Sequence, residues 1–149
     1  MKVFNRKFNR EYKEIEKIEA GLMLTGAEVK SVRAGRIRLD DAFVKIIGHE
    51  AYLLNAPISV YQYARPQGYD EKRTRKLLLH KKEILRLKVK IQSAAGLTVA
   101  PVSCYNKRGL IKLEIALVKP RKELGKKRLE KRRDIQLDQK REMKEYMKN

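Results

Sequence analysis

The apolar residues of positions 119–149 do not share one side of a helix. At about 100° per residue they scatter around the helix axis. They are Leu124, Leu129, Ile135, Leu137, Met143, Tyr146 and Met147. The segment holds 13 basic and 6 acidic residues, and a charged segment without an apolar face cannot bury enough surface to fold alone. The sequence therefore predicts a folded domain at residues 1–118 and a basic tail at residues 119–149. We expect this tail to be disordered when free and helical against a polyanion.

The net charge of the whole chain indicates the class of its partner. Lys and Arg number 37 against 18 Asp and Glu, a formal charge of +19, so the chain repels itself unless a polyanion is nearby. The expected partner is therefore a nucleic acid. Hydrophobic residues make up 42% of the 149 residues, which suffices for the core of about one domain and argues against a wholly disordered basic protein.

Cysteine content and hydropathy predict a soluble cytoplasmic protein with no membrane partner. Cys104 is the only cysteine, so no intramolecular disulfide can form, and a reducing compartment is expected. The basic amino terminus is not followed by the continuous apolar segment of a signal peptide. The longest uncharged stretch, residues 91–106, contains Gly96 and Pro101 and is shorter than the roughly 20 apolar residues that span a bilayer.

Glycines and capping residues predict the secondary structure of the domain. Thr25 and Glu28 have the spacing of a capping box and Gly35 that of a terminal glycine, so a short helix is expected at residues 26–34. A second helix is expected in the segment 80–96, where Ile84, Leu87 and Ile91 recur at helical spacing. Apolar, β-prone runs predict strands at 12–24, 42–47, 51–58, 77–79, 97–105 and 110–118, with hairpin turns at 48–49 and 106–109.

Five or six short strands with two or three short helices are typical of a mainly β fold. The sequence predicts a small closed antiparallel β-barrel, because closing the sheet removes its exposed edges.

Residues suited to catalysis are few and isolated. His49 is expected in a hairpin turn and His80 at a helix start, and neither has a recognisable catalytic partner. Asp40 and Asp41 are adjacent and would point apart on a strand, so loop or capping roles are favoured. Cys104 is interpreted as a small buried hydrophobe. No nucleotide-binding glycine motif or metal-ligand spacing occurs, so we expect no catalytic residue, metal or cofactor.

Three cationic clusters favour RNA binding, since an RNA backbone is met by several separated cations. The clusters are Arg33, Arg36 and Arg38; Arg73, Arg75 and Lys76; and Lys107, Arg108 and Lys112. Tyr61, Tyr63 and Tyr69 alternate with cations such as Arg65 in the loop at 59–74. They are suited either to stacking on unpaired bases or to covering the barrel mouth.

An ordered set of short motifs resembles the SsrA-binding protein family, also called small protein B or SmpB. The motifs are NRK (5–7), EAG (19–21), LTGAEVKSVRAG (24–35), YLLNAPIS (52–59) and RTRKLLLHKKEI (73–84), and the match runs to about Asp134. The resemblance implies a barrel related to oligonucleotide-binding (OB) barrels. It implies binding to the tRNA-like domain of transfer-messenger RNA (tmRNA, SsrA), which supports alanine charging by alanyl-tRNA synthetase. It also implies delivery with elongation factor Tu to stalled 70S ribosomes for trans-translation.

The resemblance also implies which residues of this chain bind RNA. The family's contact positions fall on Glu19, Leu78 and Lys112, with Glu28, Lys30, Ser31, Arg33 and Lys76 as neighbours. By the residues alone, Leu78 is expected in the core, and only the resemblance makes it a candidate contact.

The tail is implied to enter the decoding centre and message channel of the ribosome. Its expected contacts are Arg121, Lys122, Lys126, Lys127, Lys131, Arg132 and Arg133. Two family side chains are replaced in this tail, an aspartate by Gly125 and a tryptophan by Ile135, while the positive charge is largely kept.

Two other classes of function remain open from the residues alone. The chain can be a structural ribosomal or other ribosome-associated RNA-binding protein, which needs the same positive charge. It can also be an RNA-processing enzyme that uses His49 or His80.

Overall fold

Short apolar runs separated by glycine turns fold into seven strands and three helices in the computed structural model, which describes residues 1–61 and 68–121. The strands are β1 (Lys2–Phe4), β2 (Tyr12–Leu22), β3 (Phe43–Ile47), β4 (Glu50–Leu54), β5 (Arg75–Leu78), β6 (Thr98–Lys107) and β7 (Leu110–Pro120). The helices are α1 (Phe8–Glu11), α2 (Gly26–Arg33) and α3 (Lys81–Ser93). Within the described residues, no helix is both long and apolar enough to cross a membrane.

The strands form one antiparallel sheet that closes on itself. Their order is β1-β6-β3-β4-β5-β2-β7, and β6 also pairs with β7, so six strands make a ring and β1 extends it beside β6. Inward side chains of the ring, such as Leu53, Leu77 and Leu113, are fully buried. The predicted mainly β fold, a closed antiparallel barrel with flanking helices, is therefore confirmed.

Local sequence signals predicted the middle of the chain well. In α2 the Glu28 backbone N–H donates to the Thr25 hydroxyl at 3.3 Å, and the Thr25 N–H donates to the Glu28 carboxylate at 3.0 Å, which is the predicted capping box. Gly35 follows with a φ of 77°, a conformation that favours glycine. Both predicted hairpins form, β3 with β4 and β6 with β7.

One predicted strand is too long, and two elements were missed. The strand expected at 51–58 ends at Leu54, because Asn55 has a φ of 55° and Ile58 pairs with Ile37 instead. The missed elements are β1 and α1, which are too short to show a periodic pattern. Asn5 anchors them, since its backbone N–H donates to Val102 O at 2.8 Å and its side chain donates to Pro101 O at 2.9 Å.

A buried ion pair between Glu28 and Arg75 fixes α2 against β5. Arg75 is fully buried and its Nε donates to a Glu28 carboxylate oxygen at 2.8 Å, while its Nη1 donates to Ala56 O at 2.7 Å. Arg73 reaches the other Glu28 oxygen at 2.6 Å. The expectation that Arg73 and Arg75 form an RNA-binding cluster is thus wrong for Arg75, because its side chain is buried and paired with Glu28.

These contacts determine the ionisation of Glu28. Burial by itself raises the pKa of its carboxyl group, but the hydrogen bonds from Arg73, from the Thr25 backbone and from Arg75 outweigh burial and lower the pKa to about 2. The group is therefore ionised at neutral pH.

We predict that Glu28 makes the fold sensitive to acid. Because its folded pKa of about 2 lies below the usual 4.5, its contribution is complete above pH 4.5 and is lost as the pH falls towards 2. Glu28→Gln leaves Arg75 buried without a counter-charge and should lower the free energy of unfolding by about 3 kcal/mol at neutral pH. Urea unfolding at several pH values measures both effects.

The exposed Glu14 offers a matched control, since Glu14→Gln removes a carboxylate that makes only a 3.7 Å surface ion pair with Lys17. This variant should keep both the stability and its pH dependence. Equal losses in the two variants would contradict the role assigned to Glu28.

Candidate RNA interface

Strand registers place one row of side chains across the outer face of the barrel. Leu78 lies opposite Gly21, Gly21 opposite Lys112, Lys112 opposite Tyr105, and Tyr105 opposite Lys2. The row therefore crosses five strands: β5, β2, β7, β6 and β1. These residues are far apart in the sequence, and only the closed sheet brings them together.

A groove of about 610 Å³ runs along one end of this row. We call it the Leu78 groove, and its lining includes Glu19, Gly21, Glu50, Lys76, Leu78 and Lys112. Four of the eight RNA-binding residues expected from the resemblance are therefore neighbours in one depression: Glu19, Lys76, Leu78 and Lys112. His49 and His80 also line it.

Leu78 is exposed, contrary to the expectation from its apolar run. Leu77 is buried, but Leu78 is 51% exposed, because successive side chains of a strand point to opposite faces. It lies over Gly21: a Cβ atom built at Gly21 would be 3.1 Å from Leu78 Cβ and 3.4 Å from Leu78 Cδ1. A glycine at this position is what allows the leucine to lie so close to the sheet.

Glu19 is held by two side chains from β6. The Tyr105 hydroxyl donates to one carboxylate oxygen, and Lys107 Nζ lies 3.3 Å from the other. The hydrogen bond from Tyr105 is the main reason that the pKa of Glu19 is lowered, with Lys107 adding to it. Burial and the same hydrogen bond raise the pKa of Tyr105. Glu19 is thus an oriented, ionised hydrogen-bond acceptor.

Glu50, on the other side of Leu78, is held by a tyrosine and a lysine in the same way as Glu19. Ala51 pairs with Leu77, which brings Glu50 level with Leu78. The Tyr52 hydroxyl donates to Glu50, and Lys76 Nζ donates to it at 2.9 Å. These two hydrogen bonds, Tyr52 first, lower the pKa of Glu50.

Sequence reasoning did not identify Glu50, Tyr52 or Tyr105 as site residues. Tyr105 precedes the third cationic cluster by two positions, and alternation on a strand would have placed it on the same face as Lys107. This alternation was the sequence signal that could have identified Tyr105 as a site residue.

The residues expected on α2 divide between the interior and the surface. Glu28 and Ser31 are buried, so neither side chain is exposed for the direct RNA contact that the resemblance implied. Arg33 is exposed and its Nη2 donates to Gly109 O at 3.1 Å, beside the β6–β7 turn. Lys30 is exposed and its Nζ lies 5.6 Å from the centroid of the Tyr61 ring. These two cations lie outside the Leu78 groove.

The loop tyrosines were expected either to stack on bases or to cover the barrel mouth. Tyr69 donates its hydroxyl to Ile58 O at 2.8 Å and is half-buried, which favours the second interpretation for this residue. Tyr63 and Arg65 lie outside the described residues.

Only the first of the expected tail contacts lies within the described residues. Arg121 follows β7, its backbone N–H donates to Glu11 O at 2.8 Å, and its Nε donates to Asn9 O at 3.0 Å. Arg121 thus connects the end of β7 to α1 through these hydrogen bonds. The other expected contacts lie outside the described residues: Lys122, Lys126, Lys127, Lys131, Arg132 and Arg133.

A closed antiparallel barrel with an open groove of lysines, oriented carboxylates and an exposed leucine defines a nucleic-acid-binding barrel. Lysines meet phosphates, carboxylates accept hydrogen bonds from base edges or ribose hydroxyls, and apolar side chains contact base faces.

Comparisons with known proteins identify the family within this class. The family model described as "SmpB protein" matches residues 2–145, and the chain belongs to this family. An SsrA-binding protein of Streptococcus pyogenes is 43% identical over 95% of this chain and 91% of its own length. That of a Sulfurihydrogenibium species is 47% identical over 97% of this chain and 91% of its own length.

A solved structure gives the same result for the fold. A chain from the structure described as "tmRNA-SmpB: a journey to the center of the bacterial ribosome" superposes with a TM-score of 0.67 and is 37% identical. The superposition covers 82% of this chain and 85% of the solved one.

We predict that Tyr105 lowers the pKa of Glu19 only and that Tyr52 lowers the pKa of Glu50 only. Tyr105→Phe removes the main cause of the lowered Glu19 pKa, so this pKa should rise towards 4.5 while that of Glu50 is unchanged. Tyr52→Phe, the matched variant, should raise the pKa of Glu50 only. Carboxyl ¹³C shifts followed through a pH titration measure both groups. Movement of both groups in either variant would contradict the separation.

Proposed function

We propose that this protein is a non-enzymatic adaptor that binds the tRNA-like domain of tmRNA and delivers it to stalled ribosomes for trans-translation. Family membership supports this proposal. The observation that carries it is the Leu78 groove, in which Glu19, Lys76, Leu78 and Lys112 meet although up to 93 positions separate them in the sequence. A folded RNA is met by such a mixed surface, since its backbone, its riboses and its unpaired bases are all presented together.

Charge on the barrel supports recognition of the RNA backbone. Lys112 and Lys76 border the groove, and Arg33 lies beside the β6–β7 turn. Separated cations of this kind contact successive phosphates and release their counterions, so binding should depend strongly on salt.

The position at which the tail leaves the barrel supports a division of labour. The β2–β7 ladder runs from Gly21–Lys112 at the groove to Tyr12–Pro120 at the start of the tail. At about 3.3 Å per residue, the two ends are roughly 25 Å apart. The groove and the start of the tail are thus at opposite ends of this ladder, and we propose that residues 122–149 enter the decoding centre and message channel of the ribosome.

The remaining partners follow from this role. Alanyl-tRNA synthetase and elongation factor Tu act on the same RNA, and the site of action is the cytoplasm, where ribosomes translate. As a structural ribosomal protein, the chain would instead be stoichiometric on all translating ribosomes and would resist salt washing. An adaptor should be substoichiometric and enriched on stalled ribosomes.

We predict that Lys112→Ala and Arg33→Ala each weaken binding to the tRNA-like domain about tenfold, because a charge-assisted contact is lost. Each should reduce the slope of log affinity against log salt by about 0.7 to 0.9. Filter binding at several salt concentrations measures both quantities.

Lys13→Ala provides the control, since Lys13 is exposed on β2 opposite Lys119, at the far end of the ladder. It should leave the affinity nearly unchanged. A wild-type plot without salt dependence would contradict backbone recognition.

We predict that removing the tail after Arg121 leaves the affinity for the isolated tRNA-like domain unchanged and abolishes tagging on stalled ribosomes. The cut is placed there because β7 extends to Pro120 and Arg121 bonds to α1, so a cut after Val118 would also damage the barrel. Tagging is measured in a purified translation system programmed with a message lacking a stop codon. Tagging by the truncated protein would contradict the division of labour.

A further inference from the structure

Three carboxylates line the Leu78 groove, Glu19, Glu50 and Glu83, in a protein of net charge +19. Glu19 and Glu50 are both ionised and both held by a tyrosine and a lysine, so their oxygens are fixed in place. An ionised carboxylate repels phosphate and attracts N–H and O–H donors. The two carboxylates are therefore suited to a base edge, while the lysines of the groove are suited to the backbone.

Leu78 offers an apolar surface between Glu19 and Glu50. It is 51% exposed, and it lies against Gly21 closely enough that a Cβ at that position would approach it to 3.1 Å. An exposed leucine within a groove offers apolar contact area to a bound partner. The face of an unpaired base is apolar and has edges that carry polar groups, so it can cover Leu78 and reach the carboxylates together.

The chemistry of the acceptor selects among the four bases. A carboxylate can accept two parallel N–H bonds, as it does from an arginine side chain. Guanine alone presents a ring N–H and an exocyclic amine side by side. Adenine and cytosine present an amine next to a ring acceptor, and uracil places its N–H between two carbonyl groups, so each brings an acceptor against the carboxylate.

We propose that the Leu78 groove binds one unpaired guanine, with its face on Leu78 and its ring N–H and exocyclic amine donated to Glu19. Tyr105 and Lys107 are positioning residues for that carboxylate, and Gly21 is a positioning residue for Leu78. Glu50 lies on the other side of Leu78, where it can accept a hydrogen bond from a ribose hydroxyl. This proposal rests on the proposed function and adds the class of base that the groove recognises.

Inosine substitution in the RNA tests the proposal, because inosine keeps the ring N–H of guanine and lacks the exocyclic amine. Synthetic tRNA-like domains carry inosine at each unpaired guanine in turn, and binding is measured to the full-length protein. We expect one position at which inosine weakens binding to the wild-type protein about tenfold. With Glu19→Ala the same substitution should cause no further loss, because the acceptor is already absent. The proposal is overturned if no position responds, or if the loss persists in Glu19→Ala.

Gly21→Ala tests the apolar surface without removing any polar group. The added Cβ should tilt Leu78 and weaken binding of the unmodified RNA several-fold, and the response to inosine should diminish. Gly26→Ala is the matched control, since a Cβ there meets nothing within 4 Å. Thermal unfolding verifies that both variants are folded, and Leu78→Ala gives a second measure of the same surface. Unchanged affinity in both Gly21→Ala and Leu78→Ala would overturn the stacking on Leu78.

The outcomes separate this proposal from the proposed function. If the wild-type protein binds unmodified RNA with a strong salt dependence but no inosine position responds, the guanine site fails and the adaptor role stands. If the wild-type protein does not bind the unmodified RNA, the proposed function itself fails.

Discussion

The ladder between β2 and β7 determines where the Leu78 groove and the end of β7 lie. It pairs Tyr12 with Pro120 at one end and Gly21 with Lys112 at the other, and β7 continues the ring through β6. Because side chains alternate along a strand, Ala20 and Leu113 point into the core while Glu19 and Lys112 point outward. One set of backbone hydrogen bonds thus helps to close the barrel, forms the floor of the groove and places the end of β7 at the opposite end.

The buried pair of Glu28 and Arg75 has a different role from the charges of the groove. A buried pair of charges stabilises a fold only when the hydrogen bonds of both groups are complete. Here Arg75 also donates to Ala56 O, and Glu28 also caps α2 through Thr25. The pair therefore joins a helix, a strand and the loop before it, and it holds the helix that presents Arg33 beside the β6–β7 turn.

The groove places negative groups where a strongly basic protein would be expected to be uniformly positive. Uniform positive charge would attract any polyanion with little discrimination. The carboxylates of Glu19 and Glu50 are oriented by Tyr105 and Tyr52, and a carboxylate repels phosphate and accepts hydrogen bonds. In the proposed complex, affinity and selectivity are divided between lysines and carboxylates, as backbone contacts are separated from base contacts in nucleic-acid recognition generally.

The sequence by itself determined the elements whose contacts are local. The capping box of Thr25 and Glu28 spans three residues, the hairpin at Gly48 spans two, and the charge of residues 119–149 depends on composition alone. Motif resemblance extended this reading to Glu19, Leu78 and Lys112. Only the tertiary structure decided that Leu78 is exposed, that Arg75 is buried, and that Glu50 lies beside Leu78. The reason is physical: these outcomes depend on the register between strands distant in sequence, and a shift of one residue would exchange the inner and outer faces.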